Sequence, residues 1–295
     1  MNRSMVRGSA ALAGAAAVVF AGVIALGQKK GDHSHEGPQQ PWSKYHVHDM
    51  DRPVPPIVTP GDPSTAEKPG TAPSDAVVLF DGKDMSHWQG AGGGEATFKL
   101  QDGVMLSYGP KNLQSKDKFG DVQLHVEWAE PTPAQGDSQG RGNSGVFLMG
   151  LFETQVLDNY HNPTYPDGQC GAVYGQYPPQ VNVCRPPGQW QMYDIIFHKP
   201  KVESGKVVEP AYIMTLQNGF LVQDHQRIEG PTGHMIVAKY HDNFPSEGPI
   251  ELQFHGNPVR YRNIWARRLE ALEKQQHTGE VAQAGAQNAA ESGGK

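Results

Sequence analysis

The chain is short of cysteine, short of charge and without a sustained helical period, and each shortage excludes something. Only 2 of 295 residues are cysteine, and they lack the CxxC spacing that zinc sites favour. Charged residues make up 19%, and no window above ten residues keeps apolar side chains at 3.6-residue spacing, which argues against a helical bundle or coiled coil. Cations are outnumbered, 25 Lys and Arg against 31 Asp and Glu, so binding to nucleic acid through phosphate contacts is not expected. Glycine (35) and proline (24) are abundant, together about a fifth of the chain where roughly 12% is usual. That composition suits a turn-rich β protein, and the length allows one large domain or two small ones.

Arg3 and Arg7 precede a charge-free run from Ala10 to Gly27, and Ala25 and Gly27 place small residues before Gln28. Residues 1–27 therefore read as a signal peptide or a membrane anchor, without the cysteine of a lipoprotein or a twin-arginine pair. Either reading exports the rest, making the protein periplasmic, secreted or membrane-anchored. In an oxidising compartment the cysteine pair, Cys170 and Cys184, reads as one disulfide. A bridge closing a loop of that size contributes roughly 3 kcal/mol. Residues 28–75 are rich in Pro, Gly, Ser and Thr and read as a disordered Pro-rich linker; its histidines, His33, His35, His46 and His48, read as solvated. Residues 271–295 read as a disordered tail. One folded domain is left, 76–270.

Within it, short apolar runs alternate with turn residues. Val77–Phe80 precedes Asp81-Gly82, Phe98–Leu100 and Val104–Leu106 flank Gln101-Asp102-Gly103, and Asn218-Gly219 separates two further runs. Strands are also expected at 121–128, 145–149, 152–157, 191–197, 211–216, 220–223, 250–255 and 259–265. A dozen short strands without helices imply an all-β sandwich of two sheets.

Alternate side chains of a strand share a face. His125 and Glu127 share one with Gln123; Glu153 shares one with Gln155; His255 shares one with Glu251 and Gln253. Solvated sheet faces favour Thr, Lys and Ser, whereas these three carry Glu, Gln and His and no lysine, so a ligand site weighs against an ordinary solvated face. The loop Asp158-Asn159-Tyr160-His161-Asn162-Pro163 adds a carboxylate, amides, a phenol and an imidazole, as functional loops do, although a plain Asn/Pro turn looks the same. Asn143 opens a strand, and Arg260 and Arg262 alternate on another.

These residues stand in a longer ordered series. It runs Leu79-Phe80-Asp81-Gly82-Lys83, Trp88, Phe119-Gly120-Asp121, Glu127-Trp128, Asn143-Ser144-Gly145-Val146-Phe147 and Glu153-x-Gln155-x-Leu157-Asp158-Asn159. It continues with Gly171-Ala172-Val173-Tyr174-Gly175, Gly188-x-Trp190, Asn218-Gly219 and His255-Gly256-Asn257-Pro258-Val259-x-Tyr261-Arg262-Asn263-Ile264. The series resembles the 3-keto-disaccharide hydrolase domain, also known as the domain of unknown function 1080, over about 76–270. Phe254 departs from it, where the family often has Asp.

The resemblance implies a concanavalin-like jelly-roll sandwich of two antiparallel sheets, a glycoside or oligosaccharide substrate, and cleavage of sugars oxidised to a ketone at C3. Such a ketone acidifies the C2 proton, so a base can start an elimination that expels the C1 substituent, with water adding afterwards for net hydrolysis. The site then needs a base, a stabiliser for the enolate and a donor for the leaving oxygen. His255, Glu153 and His161 are the catalytic candidates, with His255 or His161 as base. Gln155, Asn143, Arg260, Tyr160 and His125 are expected to bind substrate. A divalent metal ion held by Glu127 and Asp158 would suit the enolate. Two other readings compete: a non-catalytic carbohydrate-binding module, with Trp88, Trp190, Tyr160, Tyr165 and Tyr177 as platforms, and an ordinary two-carboxylate glycosidase. The second is weakened because Glu153 and Asp158, five apart, point to opposite faces of a straight strand.

Overall fold

A computed structural model describes residues 37–269. The expected signal peptide or anchor, the first residues of the linker and the tail at 271–295 lie outside the described residues. Residues 37–53 belong to a unit of their own, in which Gln39 bridges to His46 and the His46 ring nitrogen Nδ1 lies 2.7 Å from the Gly37 carbonyl.

The second unit starts at Val54 and carries fifteen strands among the described residues. They are β1 (Val77–Phe80), β2 (Trp88–Gly90), β3 (Lys99–Gln101), β4 (Val104–Leu106), β5 (Leu113–Phe119), β6 (Val122–Ala129), β7 (Ser144–Leu148) and β8 (Phe152–Val156). Then follow β9 (Gln191–His198), β10 (Lys201–Glu203), β11 (Lys206–Glu209), β12 (Tyr212–Gln217), β13 (Phe220–Arg227), β14 (Gly248–Leu252) and β15 (Arg260–Arg268). The larger sheet runs β13-β12-β9-β6-β15-β4-β3, with β1 also on β15; the smaller runs β2-β5-β14-β7-β8; β10 and β11 form a separate hairpin. Every pairing is antiparallel, as a fold of short strands and tight turns requires.

The period-2 alternation seen in the sequence decides what lies between the sheets. Leu124, Val126 and Trp128 of β6 and Tyr193, Ile195 and Phe197 of β9 point inward to meet Val146, Phe152, Val156, Ile250 and Leu252 of the smaller sheet. Phe152 packs on Phe197 across the sandwich at 5.5 Å between ring centres. Polar groups that enter this core are partnered: Glu130 accepts from Gln191 Nε2 at 2.7 and 2.9 Å and from Trp128 Nε1 at 2.9 Å. Strand β5 is absent from the sequence expectation because its inward positions include Ser115, whose hydroxyl accepts from the Ile250 N–H at 2.9 Å.

The part of the expected linker beyond Val54 behaves differently from a free chain. It has no strand, yet Asp62 and Thr71 bond each other, and Ser64 Oγ donates to Glu127 Oε1 at 2.6 Å on the outward side of the larger sheet. The carbonyls of Thr65 and Glu67 accept from Arg262. Prolines and turn residues here shape a strap that satisfies buried charges, a role that leaves no apolar pattern to read.

Cys170 and Cys184 are neighbouring free thiols, and Gln217 Nε2 reaches their sulfurs at 3.5 and 3.4 Å. The expected bridge would join this pair. Thiol titration of denatured, unreduced protein separates the two states: two free thiols match the structure, and none free would restore the bridge.

Candidate active site

The outward face of the smaller sheet gathers the polar side chains of β14, β7 and β8. Register places Glu251, Phe147 and Glu153 in one row across three strands. Gly145 lies opposite Gln155 and bonds to the backbone of Gln253, forming the next row. His255 and Asn143 continue just beyond the strand ends. At Gly145 a Cβ would meet Oε1 of Glu153, so the acid lies across the bare backbone of β7 and a side chain there would have to displace it.

Glu153, Gln155, Asn143 and His255 thus line one cavity of about 380 Å³. Gln139, Phe147, Tyr165, Tyr174, Thr232, Gly233, His234 and Gln253 complete its walls. The carboxamides are interlocked: Gln155 Nε2 donates to Gln139 Oε1 at 3.0 Å, and Asn143 Nδ2 donates to the Gln139 carbonyl at 2.7 Å. Turned by 180°, the Gln155 amide nitrogen reaches Glu153 Oε1 at 3.2 Å and the Ser144 carbonyl at 2.9 Å.

Glu153 is only 5% exposed and faces no cation. Burial, with the nearby Glu251 carboxylate adding to it, pushes its pKa up to about 8. Burial likewise raises Glu251, against the Asn112 amide that donates to it at 2.7 Å. At neutral pH Glu153 therefore carries a proton, the state a general acid needs. Its backbone is fixed on both sides, since the Glu153 N–H donates to Thr232 Oγ1 at 3.0 Å and its carbonyl accepts from the Tyr174 N–H at 3.2 Å.

The remaining expected site residues lie elsewhere. His125 and Glu127 belong to the outward face of the larger sheet. His125 Nδ1 is 2.7 Å from Asp194 Oδ1 and its ring stacks on Trp265 at 5.1 Å. Glu127 accepts from Arg262 Nε at 2.6 Å and from Asn263 Nδ2 at 2.6 Å. Arg260 lines a different cavity of about 790 Å³, with Trp190 and Arg262. Asp158 is buried against Arg141 Nε at 2.7 Å. Tyr160 and His161 sit in an outward turn closed by its own asparagines, Asn162 Nδ2 donating to the Asp158 carbonyl at 2.7 Å. That loop is held by local bonds and does not line the Glu153 cavity. Glu127 and Asp158, expected as metal ligands, are each committed to a different arginine, the first on β6 of the larger sheet and the second just after β8 of the smaller. Among the described residues no group of three or more His, Cys, Asp and Glu is arranged to hold a metal ion. These residues do not fit the expected ion, and no step below is routed through one.

Sequence reasoning did not find Gln139, Thr232 or His234, which come from irregular loops where no alternation marks a face. Tyr174 stood in the ordered motif series without a role.

The cavity gathers a buried acid, an imidazole and a set of carboxamides on the outward face of one sheet of a β-sandwich. Residues 75–267 match the family described as the 3-keto-alpha-glucoside-1,2-lyase-like domain, and the chain belongs to that family. A solved structure from Parabacteroides distasonis ATCC 8503, named a "putative glycosyl hydrolase", is 43% identical, covering 78% of this chain and 99% of its own, with a TM-score of 0.70. A second structure of the same name and organism is 18% identical over 65% of this chain and 93% of its own, with a TM-score of 0.48. No curated protein is similar enough to count as a match. Family and neighbour together make the chain a glycoside-acting, carbohydrate-active enzyme.

Proposed function

We propose that the chain cleaves 3-keto-glycosides by elimination, with His255 as base and Glu153 as acid. The observation that carries this reading is a buried Glu153, without a cation beside it, in the same cavity as His255. The imidazole of His255 takes the proton from C2, which the C3 ketone has acidified. The electron pair becomes an enolate and then the C1–C2 double bond as the C1–oxygen bond breaks. Glu153 gives its proton to the departing oxygen, so the leaving group departs as an alcohol. Water then adds hydroxyl at C1 and a proton at C2 for net hydrolysis. The amides of Gln155 and Gln253 supply donors for sugar oxygens and for the enolate, while Gln139 and Asn143, whose amide hydrogens are spent on Thr164, Gly168 and each other, hold that wall in shape. The charge-free run before Gln28 supports an exported activity in the same reading.

Product analysis with a 3-keto-glucoside and its unoxidised parent, with and without chelator, tests it. Turnover of the keto sugar alone is expected, and chelator should not matter. Loss with chelator would bring a metal back. Binding without turnover of either sugar would favour a lectin-like module.

One observation favours a second reading, an ordinary two-carboxylate glycosidase. Glu251 shares a row with Glu153 two strands away, roughly 9–10 Å between backbones at sheet spacing. Inverting enzymes hold their carboxyl groups about 6.5–9.5 Å apart. Equal turnover of the unoxidised parent would establish that reading instead.

A further inference from the structure

The Glu153 cavity does not end at its tyrosine wall. A second cavity of about 800 Å³ shares Tyr165, Tyr174, Gly233 and His234 with the first. Those three rings are linked: the Tyr165 and Tyr174 hydroxyls meet at 2.8 Å, and the Tyr174 hydroxyl lies 3.1 Å from His234 Nδ1. Both cavities use these rings as lining, so this partition is their common edge. Both supports of the partition hang on the acid, because the Glu153 backbone bonds Tyr174 on one flank and Thr232, next to Gly233, on the other.

Beyond the partition the lining changes character. Met235, Ile236 and Val237 line the second cavity and are 92%, 67% and 91% exposed. Three consecutive large apolar side chains held out to water mark a binding surface more often than chance exposure. Several polar groups there are already engaged: the Glu229 carboxylate accepts from the Tyr177 hydroxyl at 2.8 Å, and the Gln176 amide bonds the backbone of Gly230 and Glu229, which leaves Asp167 as the carboxylate a sugar would meet.

We infer that the second cavity receives the leaving group of the glycoside, and that the group it fits is a flat, apolar alcohol such as an aryl aglycone rather than a second sugar. The inference rests on Glu153 as donor to the leaving oxygen, since whatever departs from that oxygen must lie on the far side of the acid. The tyrosine rings offer faces for stacking, and the Met235–Val237 loop supplies apolar cover.

The test compares phenyl 3-keto-glucoside, methyl 3-keto-glucoside and a 3-keto-disaccharide on wild type and on the triple variant Met235→Ser, Ile236→Ser, Val237→Ser. An aryl oxide leaves more readily on chemical grounds, so the readout is the change on mutation and not the wild-type preference. The phenyl-to-methyl ratio of kcat/KM should fall at least tenfold in the variant, through KM. The disaccharide-to-methyl ratio should stay within twofold. An unchanged phenyl-to-methyl ratio overturns the subsite, and an equal fall for the disaccharide overturns its apolar selectivity. If wild type turns over no keto sugar, the proposed chemistry fails by itself. The subsite is then judged by titration with unoxidised phenyl glucoside: tenfold weaker binding in the variant supports it, and equal binding overturns it.

Discussion

The two sheets each bury a glutamate on their outward face, and the two acids end in opposite states. Glu127 is 1% exposed and Glu153 is 5% exposed, so depth does not separate them. Burial pushes Glu127 up, but donors from His125, Ser64, Asn263 and Arg262 outweigh it and hold its pKa at about 2. Glu153 has no cation and a second carboxylate nearby, and its pKa stands at about 8. Partners decide whether a buried carboxyl becomes a fixed anion or a proton store. The Glu127 face is structural by this criterion, and the Glu153 face is suited to chemistry.

The largest effect that can break this comparison is on stability. Glu127→Ala leaves Arg262 buried without its carboxylate, and denaturant unfolding should show a loss of about 3–5 kcal/mol. A loss below about 1 kcal/mol would mean that the pair is not what holds that face together. Next comes activity: Glu153→Gln and His255→Ala should each slow turnover of a 3-keto-glycoside by about 10²-fold or more. Circular dichroism of both variants should match wild type, since neither side chain holds the core. Unchanged turnover would leave the cavity without its assigned acid and base.

Acidity then sharpens the contrast. Glu153 is raised from 4.5 to about 8, so the folded state keeps a proton that the unfolded chain releases. Its contribution to stability is full below pH 4.5 and is lost as pH rises through 8. Glu127 is lowered from 4.5 to about 2, so its contribution is present above pH 4.5 and is lost as pH falls through 2. His125, raised from 6.5 to about 9 by Asp194 and Glu127 against its burial, stabilises below pH 6.5 and loses this as pH rises through 9. Buried Glu130, raised to about 7, acts in the same sense as Glu153. Melting temperatures across pH should therefore decline less between pH 4.5 and 8 in Glu153→Gln than in wild type. Parallel curves would contradict a buried, protonated Glu153. The smallest effect is at the strap: Ser64→Ala removes one donor to a charged partner and should cost about 1–2 kcal/mol.

Much of the sandwich can be read from the sequence, because alternation is a direct print of inward and outward faces. Leu124, Val126 and Trp128 against Gln123, His125 and Glu127 is such a print, and Asn218-Gly219 does form the turn between β12 and β13. Alternation stops short of naming the sheet. The outward sets His125/Glu127 and Glu153/Gln155 look alike along the chain, and only the pairing order sends them to opposite sides of the molecule. Hence Glu153, Gln155, Asn143 and His255 are found together, while His125, Glu127 and Arg260 are not. Asp158, Tyr160 and His161 illustrate a different limit, since an asparagine-rich turn that satisfies itself and a functional loop look alike along the chain. His234 and Thr232 were invisible because irregular loops have no period.

The strap also bears on how this domain can be handled as a movable part. The family match begins at residue 75, whereas the hydroxyl of Ser64 and the carbonyl of Thr65 already serve Glu127 and Arg262. A recombinant version cut at the family boundary would leave that ion pair open to water on the side the strap covers. Fusions, swaps and tags made with this domain therefore need to carry the ten-odd residues upstream of the boundary, even though those residues belong to no strand and no motif.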